Sequence, residues 1–530
     1  MFASGPEDAL KQLEGPWVGG RPFLLAAIGA VLCFLGFVGF GVWPLALICL
    51  APLWQALEET RQARLHVAAL VGFTFGWVAY AGGYLWLWRI VDVALYGNVV
   101  VGALVWLAYS FWFALRFALY GVFYSLVRRR RWPVAVAAIA PLLVVEWLYP
   151  SLFPVYLGHS LLKQTALIQI CDLGGPLLLT ALLASVNLGA FETWRWWRAD
   201  RARPVGVWLE VGLVVLLAWS YGVVRLRQVD REIADAPALR VGIVQGNLGV
   251  IEKGKEATHD HRRYLEQTRE LIGGGNLDLV VWPETVYTRG LRGPLPISGQ
   301  LISEDVHVPL LFGAAFVSVD SGQRLAFNSA LLIGEDGVIR SVYEKNLLIP
   351  FTEYVPFGGL LPGAERLANV SRFAAATDTP PLRLGGWRIS TPICYEAVRP
   401  SFVRRMLLRA RPHLIVTLAN DSWFGDSQEP RLHLAMAEFR AVEHRRYLVR
   451  ATNSGISAVV DPAGRVVART RVLTRENLRA TVHMLDGTTV YTRYGDWPGW
   501  IAAVIVLATL IQAPPGRRGP RTEPGASGVP

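Results

Sequence analysis

One cysteine of this chain, Cys394, lies outside its long apolar segments, and the other three lie inside them: Cys33, Cys49 and Cys171. Two groups that assist a thiol precede Cys394, namely Glu284 in a Trp-Pro-Glu run and Lys345 in a Tyr-Glu-Lys-Asn run. A carboxylate takes the proton of an attacking thiol, and an ammonium stabilises the oxyanion that forms. The three residues therefore indicate a cysteine nucleophile and not a disulfide.

Each residue also has a simpler interpretation. A cysteine in a strand is usually a small buried apolar side chain, a carboxylate often follows a strand, and a loop lysine is usually solvated. Only the ordered set of Glu284, Lys345 and Cys394, each just after a predicted strand, favours catalysis.

The composition indicates that the 530 residues include both a membrane part and a polar part. With 53% hydrophobic and 18% charged residues, the chain suits neither a soluble enzyme nor a pure membrane bundle. The mean hydropathy of +0.34 agrees. The sequence predicts a membrane helical bundle of about eight spans, each needing roughly 20 residues. The apolar segments are residues 22–57, taken as two short spans, then 66–88, 98–126, 133–149, 166–192, 206–224 and 497–513.

Basic residues set the predicted orientation, because they accumulate in short cytoplasmic loops. With residues 1–21 in the cytoplasm, the inside segments contain Arg61, Arg64, Arg128–Arg131, Arg195, Arg198, Arg201, Arg203, Arg517, Arg518 and Arg521. Seven spans in residues 22–225 then place residues 226–496 outside, and the span at 497–513 returns residues 514–530 to the cytoplasm. The first helix is expected to serve as an uncleaved signal. This bias also explains the net charge of +11 without nucleic acid.

The polar segment alternates strands and helices. Strands are predicted at 239–245, 277–282, 309–318, 326–334, 338–343 and 413–418, with two more around the turn at 461–464, and helices at 259–272, 398–409 and 430–446. This mixture favours a layered α/β domain with functional residues at strand ends.

The order Glu284, Lys345, Cys394 resembles the catalytic triad of the nitrilase superfamily, whose fold is a four-layer αββα sandwich. The membrane helices narrow the resemblance to the apolipoprotein N-acyltransferase family. Further matching blocks are Val244-Gln245-Gly246-Asn247, Lys345 to Phe351 followed by Glu353, Ile393 to Glu396, and Asn420 to Gly425, with weaker similarity at 146–148 and 491–497.

The resemblance implies an activity. Glu284 would be the general base, Lys345 the oxyanion stabiliser and Cys394 the nucleophile, which takes an acyl chain from a phospholipid as a thioester. The chain would then pass to the α-amino group of the diacylglyceryl-cysteine of an apolipoprotein. Such a reaction needs no metal or other cofactor. The implied location is a bacterial inner membrane, with the catalytic domain in the periplasm.

The resemblance also implies supporting residues. Glu396 is expected to orient Lys345 by an ion pair or to cap the next helix, Glu353 to orient the base or the amine, and Tyr395 to shape the acyl site. Asn328 and Trp423 join this supporting set.

An aromatic loop is expected at the membrane surface for lipid access, although ordinary packing is an equal interpretation. Its residues are Phe351, Tyr354 and Phe357.

Two other functions remain open. A membrane-tethered nitrilase-like amidase acting on a small C–N substrate would need a narrow polar site, and seven spans are excessive for a tether. A non-enzymatic lipoprotein carrier would not need the ordered triad.

Other polar residues are expected to be structural. The charges of Glu146 and Asp172 lie near predicted helix ends, where their side chains are expected to reach the membrane surface. The histidines at 259, 261, 433 and 444 show no metal-binding spacing with cysteine and are taken as surface or structural residues.

Overall fold

The computed structural model describes residues 19–88, 98–198, 203–249, 257–320, 323–350, 353–354 and 373–511. Their helices and strands form a helical part followed by an α/β part, and a last apolar helix packs back on the first part. Phe351 and Phe357 of the predicted lipid-access loop lie outside the described residues, as do residues 1–18 and 512–530.

The helical part is built from apolar sequences. Its helices are α1 (Arg21–Gly36), α2 (Leu50–Glu59), α3 (Leu65–Gly83), α4 (Val99–Arg129), α5 (Val134–Leu148), α6 (Thr165–Ile168), α7 (Cys171–Arg198) and α8 (Val205–Asp235). Among the described helices, α3, α4, α7 and α8 are long and apolar enough to cross a membrane, while α1 and α5 are shorter apolar helices. The chain is thus a membrane protein.

The second of the two spans predicted within residues 22–57 is not confirmed. Helix α2 has 10 residues, about 15 Å of length, against a hydrocarbon core of about 30 Å. A 3₁₀ turn at Trp43–Leu47, with Pro44 in its first turn, uses part of the apolar sequence before α2 begins. The number of eight spans therefore stays a prediction.

Small residues allow the long helices to approach closely. A Cβ added to Gly72 of α3 would lie 2.0 Å from the carbonyl oxygen of Phe117 in α4, and one added to Gly76 would lie 2.7 Å from the Cα of Ala114. Only glycine therefore fits at these two crossings.

Glu146 does not reach the membrane surface as the sequence suggested. Its side chain is buried beside Arg116, with 3.4 Å between Oε1 and Nη2. It also accepts hydrogen bonds from the Thr180 hydroxyl at 2.7 Å and the Leu157 N–H at 2.9 Å. A carboxylate in an apolar region is tolerated when it has such partners, so Glu146 ties α4, α5 and α7 together.

Asp172 is also buried, and its partners come from two parts of the chain. Its Oδ2 accepts hydrogen bonds from Arg445 Nη2 at 2.7 Å and Nε at 3.0 Å, and from Arg225 Nε at 3.1 Å. Its Oδ1 accepts the Tyr221 hydroxyl at 2.7 Å. Two residues later α7 kinks at Gly174 and Gly175, both non-helical. Asp172 therefore joins the helical part to the α/β part.

Fourteen described strands form two sheets. They are β1 (Ala238–Gln245), β2 (Leu279–Val281), β3 (Tyr287–Arg292), β4 (Ile297–Ser298), β5 (Leu310–Asp320), β6 (Gln323–Ile333), β7 (Val338–Glu344), β8 (Leu382–Leu384), β9 (Trp387–Ser390), β10 (Leu414–Ala419), β11 (Tyr447–Thr452), β12 (Ala458–Val460), β13 (Val466–Arg469) and β14 (Glu476–His483). The first sheet has the order β14-β1-β2-β5-β6-β7-β4, with β3 beside β5, and the second has the order β13-β12-β11-β10-β9-β8.

Helices cover the outer faces of the sheets. The helices of this part are α9 (Ala257–Gly273), α10 (Gln300–Ser303), α11 (Pro400–Ala410), α12 (Glu429–His444) and α13 (Val490–Tyr494), and α14 (Trp497–Ile511) follows as a shorter apolar helix. Alternate residues of β1 divide between two cores: Val241 and Ile243 pack towards the second sheet, whereas Val244 packs beneath Tyr264 of α9. The result is an α/β domain of αββα layers.

Candidate active site

The ends of three strands bring the predicted triad into one region. Glu284 follows β2, Lys345 follows β7 directly, and Cys394 follows β9. The segment after β2 packs closely on β5, because a Cβ on Gly313 of β5 would lie 2.4 Å from the Thr285 nitrogen and 2.7 Å from the Glu284 Cα. Trp282 anchors the same segment in the core and donates to the Thr268 hydroxyl at 2.9 Å.

Lys345 is buried between two carboxylates. Its Nζ lies 2.9 Å from Glu353 Oε1 and 3.2 Å from Glu284 Oε1. Asn328 on β6 donates from Nδ2 to the same two carboxylates, at 2.7 Å to Glu284 and 3.0 Å to Glu353. The backbone oxygen of Asn328 also accepts the Lys345 N–H at 2.8 Å. These contacts leave the four side chains little freedom to move.

Charge in this cluster favours an ionised lysine. Burial lowers the pKa of Lys345, but Glu284 and Glu353 outweigh that effect and hold the pKa above its ordinary value. An ammonium held next to the nucleophile is suited to stabilise an oxyanion.

Cys394 has an unusual backbone conformation. Its φ is +51°, in the left-handed region that a non-glycine residue adopts only when its surroundings enforce it. It begins a 3₁₀ turn, Cys394–Val398, and the preceding Ile393 forms a parallel bridge with Leu418 of β10. The residue is 8% exposed. The turn thus presents the thiol at the end of the second sheet.

The electrostatic environment keeps this thiol protonated at rest. Burial and the carboxylate of Glu284 raise the pKa of Cys394 well above its ordinary value, while Lys345 acts in the opposite direction. A protonated thiol needs a base as it attacks.

The expected ion pair between Glu396 and Lys345 is wrong, since Lys345 pairs with Glu284 and Glu353 instead. Glu396 ties together the backbones of the lysine and cysteine segments. Its Oε1 accepts the N–H groups of Asn346 at 2.6 Å and Leu347 at 3.0 Å, and its Oε2 accepts the Ile393 N–H at 2.8 Å. The Tyr343 hydroxyl donates to Oε2 at 2.7 Å. Burial raises the pKa of Glu396 to about 7, against the opposing effect of these donors.

The other predicted supporting residues lie around the turn. The Tyr395 ring meets Phe153 of the helical part at 5.8 Å between centroids, and Arg399 lies over its face. Trp423 is half-buried in a 3₁₀ turn after β10, and Tyr354 is 41% exposed. Tyr395 thus contacts the helical part, and Tyr354 is open to the surroundings.

A second buried polar cluster was not recognised from the sequence. Asp421 accepts hydrogen bonds from both His433 and Arg450 beneath the cysteine turn, and Glu429 lies beside His433. His433 is therefore a buried residue and not a surface one. Asp421 lies inside the Asn420 to Gly425 block of the sequence. That block was a signal from which the cluster could have been found.

Both parts of the chain match described families. Residues 29–189 match the apolipoprotein N-acyltransferase N-terminal domain, and residues 240–484 match the carbon-nitrogen hydrolases. An apolipoprotein N-acyltransferase from Geobacter metallireducens is 32% identical, with 92% of this chain and 95% of that protein covered. The one from Azotobacter vinelandii is 34% identical, with 95% and 96% covered. The chain belongs to the apolipoprotein N-acyltransferase family.

This apolipoprotein N-acyltransferase family accounts for both the helical and the α/β part. The chain is an N-acyltransferase of the carbon-nitrogen hydrolase superfamily, in which a cysteine is the nucleophile, and the amidase alternative is not favoured. Nit3 from Saccharomyces cerevisiae, of the nitrilase superfamily, is 15% identical in sequence. The match covers 46% of this chain and 90% of Nit3, with a TM-score of 0.38.

Proposed function

We propose that this enzyme moves an acyl chain from a phospholipid to Cys394 and then to the α-amino group of diacylglyceryl-cysteine on apolipoproteins. The observation that carries the proposal is the buried Lys345 ammonium between Glu284 and Glu353, next to a protonated Cys394. The domain that holds these residues is joined to membrane helices. No cofactor takes part in either step.

The first step forms a thioester. The Cys394 sulfur attacks the ester carbonyl carbon of the phospholipid as Glu284 takes the thiol proton. Lys345 and the backbone N–H that follows Cys394 stabilise the oxyanion. When the intermediate collapses, the bond between carbonyl carbon and ester oxygen breaks, Glu284 returns the proton to that oxygen, and lysophospholipid leaves.

The second step forms an amide. The neutral α-amine of the acceptor attacks the thioester carbon, and Glu284 accepts a proton from the nitrogen. The bond between carbon and sulfur then breaks, and the proton passes to the Cys394 thiolate. The enzyme returns to its resting form, so the two substrates bind alternately in ping-pong order.

Several contacts favour a lipid substrate. The cysteine turn faces the loop after α5, where Arg399 Nη1 donates to the Ser151 carbonyl at 2.6 Å. Beside this loop an apolar cavity of about 70 Å³, lined in part by Phe34, Tyr84 and Leu432, lies between α1, α3 and the start of α12. We propose that Tyr354, with Phe351 and Phe357, forms the lipid-access loop.

The location of the enzyme is also a proposal. Arginines cluster in the segments that join α2 to α3, α4 to α5 and α7 to α8, which supports a cytoplasmic position for those segments. The catalytic domain, residues 226–496, would then lie in the periplasm and the helices in the inner membrane.

Intact mass spectrometry tests the function. The purified enzyme incubated with phospholipid should gain one acyl mass that hydroxylamine removes, and Cys394→Ala should gain none. Addition of a diacylated lipopeptide should remove the adduct and give the peptide an amide-linked chain. An unmodified wild-type enzyme together with an unchanged lipopeptide contradicts the proposal, and hydrolysis of a small amide instead supports the amidase.

A further inference from the structure

A buried polar cluster behind the cysteine turn has no part in the two steps above. Asp421 follows β10, and both of its oxygens are occupied: Oδ1 accepts the His433 Nδ1–H at 2.9 Å and Oδ2 accepts Arg450 Nη2 at 2.8 Å. All three side chains are no more than 3% exposed. Burying an ion pair to this degree costs free energy unless each charge has its partner. The presence of the cluster therefore points to a role in the protein.

The charges of the cluster balance without any added ion. Asp421, Glu429 and His433 have ligand atoms within 4.8 Å of one another, a spacing found in metal sites. The positive charge here, however, belongs to Arg450. Burial and the Asp421 charge raise the pKa of Glu429 well above its ordinary value, so Glu429 keeps its proton. Arg450 and Asp421 thus neutralise each other.

The histidine lies against the nucleophile. Helix α12, which carries His433, packs on the Cys394–Val398 turn. Burial and Arg450 lower the pKa of His433, while Asp421 and the backbone of Cys394 act to raise it. The outer nitrogen, Nε2, is buried and has no hydrogen-bond partner among the described residues.

The backbone of Cys394 needs support from outside its own turn. A residue other than glycine in the left-handed region is strained and persists only where surrounding groups enforce it. The loop after β11 completes the enclosure, since a Cβ on Gly455 would lie 2.1 Å from Asp421 Oδ2. Asp421 is therefore fixed from three sides.

We infer that Arg450, Asp421 and His433 form a positioning row that holds the backbone of Cys394 in its reactive conformation. Arg450 fixes Asp421, Asp421 fixes the imidazole, and the imidazole supports the cysteine turn. This inference rests on the proposed function, because the conformation it explains is that of the acyl carrier. Misplacement of a nucleophile by about 1 Å costs on the order of 100-fold in rate.

Single-turnover formation of the thioester in the full-length enzyme tests the row. We expect His433→Ala to acylate 10- to 100-fold more slowly on the order-of-magnitude argument above, with an unchanged half-saturating phospholipid concentration. His433→Asn should recover part of the rate, because its amide donates to Asp421 from the position of Nδ1. His444→Ala, at the other end of α12, is the matched control for the loss of a buried histidine.

The outcomes separate the two proposals. Absence of a thioester in the wild type contradicts the proposed function. A thioester that forms at the wild-type rate in His433→Ala contradicts the positioning row. The row is also contradicted if His444→Ala loses rate in proportion to its fall in melting temperature, because the rate would then follow the stability of the protein. Bound zinc at one equivalent, lost in His433→Ala, would show a metal site in place of the row.

Discussion

The Lys345 ammonium lies 2.9 Å from the Glu353 carboxylate, inside a site where both side chains are at most 10% exposed. Glu353 therefore supplies one of two negative charges that keep Lys345 ionised. Breaking a buried ion pair by removing one partner costs about 3–5 kcal/mol.

Replacement of Glu353 by glutamine should lower the acylation rate at least about 100-fold, because part of that energy positions Lys345 for the oxyanion. Burst-phase release of lysophospholipid measures this rate. Asp336→Asn, which removes an exposed carboxylate paired with Arg340, is the control and should leave the rate unchanged. A Glu353→Gln enzyme that keeps its burst would show that Glu284 alone is sufficient to position Lys345.

Glu284→Gln should abolish the reactivity of Cys394 while leaving the fold intact. Without its base, the thiol keeps its proton, because burial raises the pKa of Cys394 well above its ordinary value. Iodoacetamide labelling at pH 7.5 followed by peptide mass spectrometry measures the loss. Asn328 still binds the amide oxygen in this variant, but Lys345 loses one of its two carboxylate partners. The melting temperature should therefore fall, and labelling is compared at a temperature where both proteins are folded. Labelling at the wild-type rate would exclude Glu284 as the base.

The stability of the enzyme should depend on pH through Glu396. Its pKa is about 7 in the folded protein against 4.5 for the free group, so the folded state holds the proton more tightly. This contribution to stability is full below pH 4.5 and is lost as the pH rises to about 7, by no more than about 3 kcal/mol.

Thermal unfolding in detergent between pH 4.5 and pH 8 measures the effect. Glu396→Gln cannot ionise and should show a flatter profile, although its amide group meets four donors and should lower the melting temperature at every pH. The same pH profile in wild type and variant would contradict the role assigned to this carboxyl.

The contact between the domains should behave as a coupled pair. Asp172→Asn leaves Arg445 and Arg225 short of their acceptor and should destabilise the protein by about 3–5 kcal/mol. Together with Arg445→Gln, a double-mutant cycle in thermal or denaturant unfolding should give a coupling of at least about 1 kcal/mol.

A matched control lies at the same junction. Arg465 and Asp230 also join the two parts, but both side chains are about half exposed. Asp230→Asn should therefore change stability by less than about 1 kcal/mol. Equal effects of the two substitutions would show that burial does not determine the strength of this junction.

The sequence was informative where periodicity is strong. The predicted strand at 239–245 and helix at 430–446 lie within two residues of β1 and α12, because alternating or helical apolar patterns persist over their whole length. The apolar segment at 22–57 was less informative. Hydropathy reports only that a residue avoids water, and it does not distinguish a span from a short helix buried among other helices.

Polar partners were hardest to predict from sequence. Glu396 is two residues from Cys394, yet its oxygens bind backbone N–H groups that no side-chain pattern reveals. Asp172 and Arg445 are 273 residues apart, so only the folded chain brings them together. Because their partners could not be recognised in the sequence, the charges of Glu146 and Asp172 were expected at the membrane surface.

One consequence concerns the lipid itself. Asp172 lies in the first turn of α7, before its kink, and Arg445 ends the helix that backs the cysteine turn. A thicker or thinner bilayer would change the tilt of α7. Because Asp172 joins this helix to Arg445, the change in tilt would be felt at this ion pair. On the proposed function, the rate of acyl transfer should thus respond to lipid chain length even when the acyl donor is held constant, so that bilayer thickness would act on the enzyme as an effector.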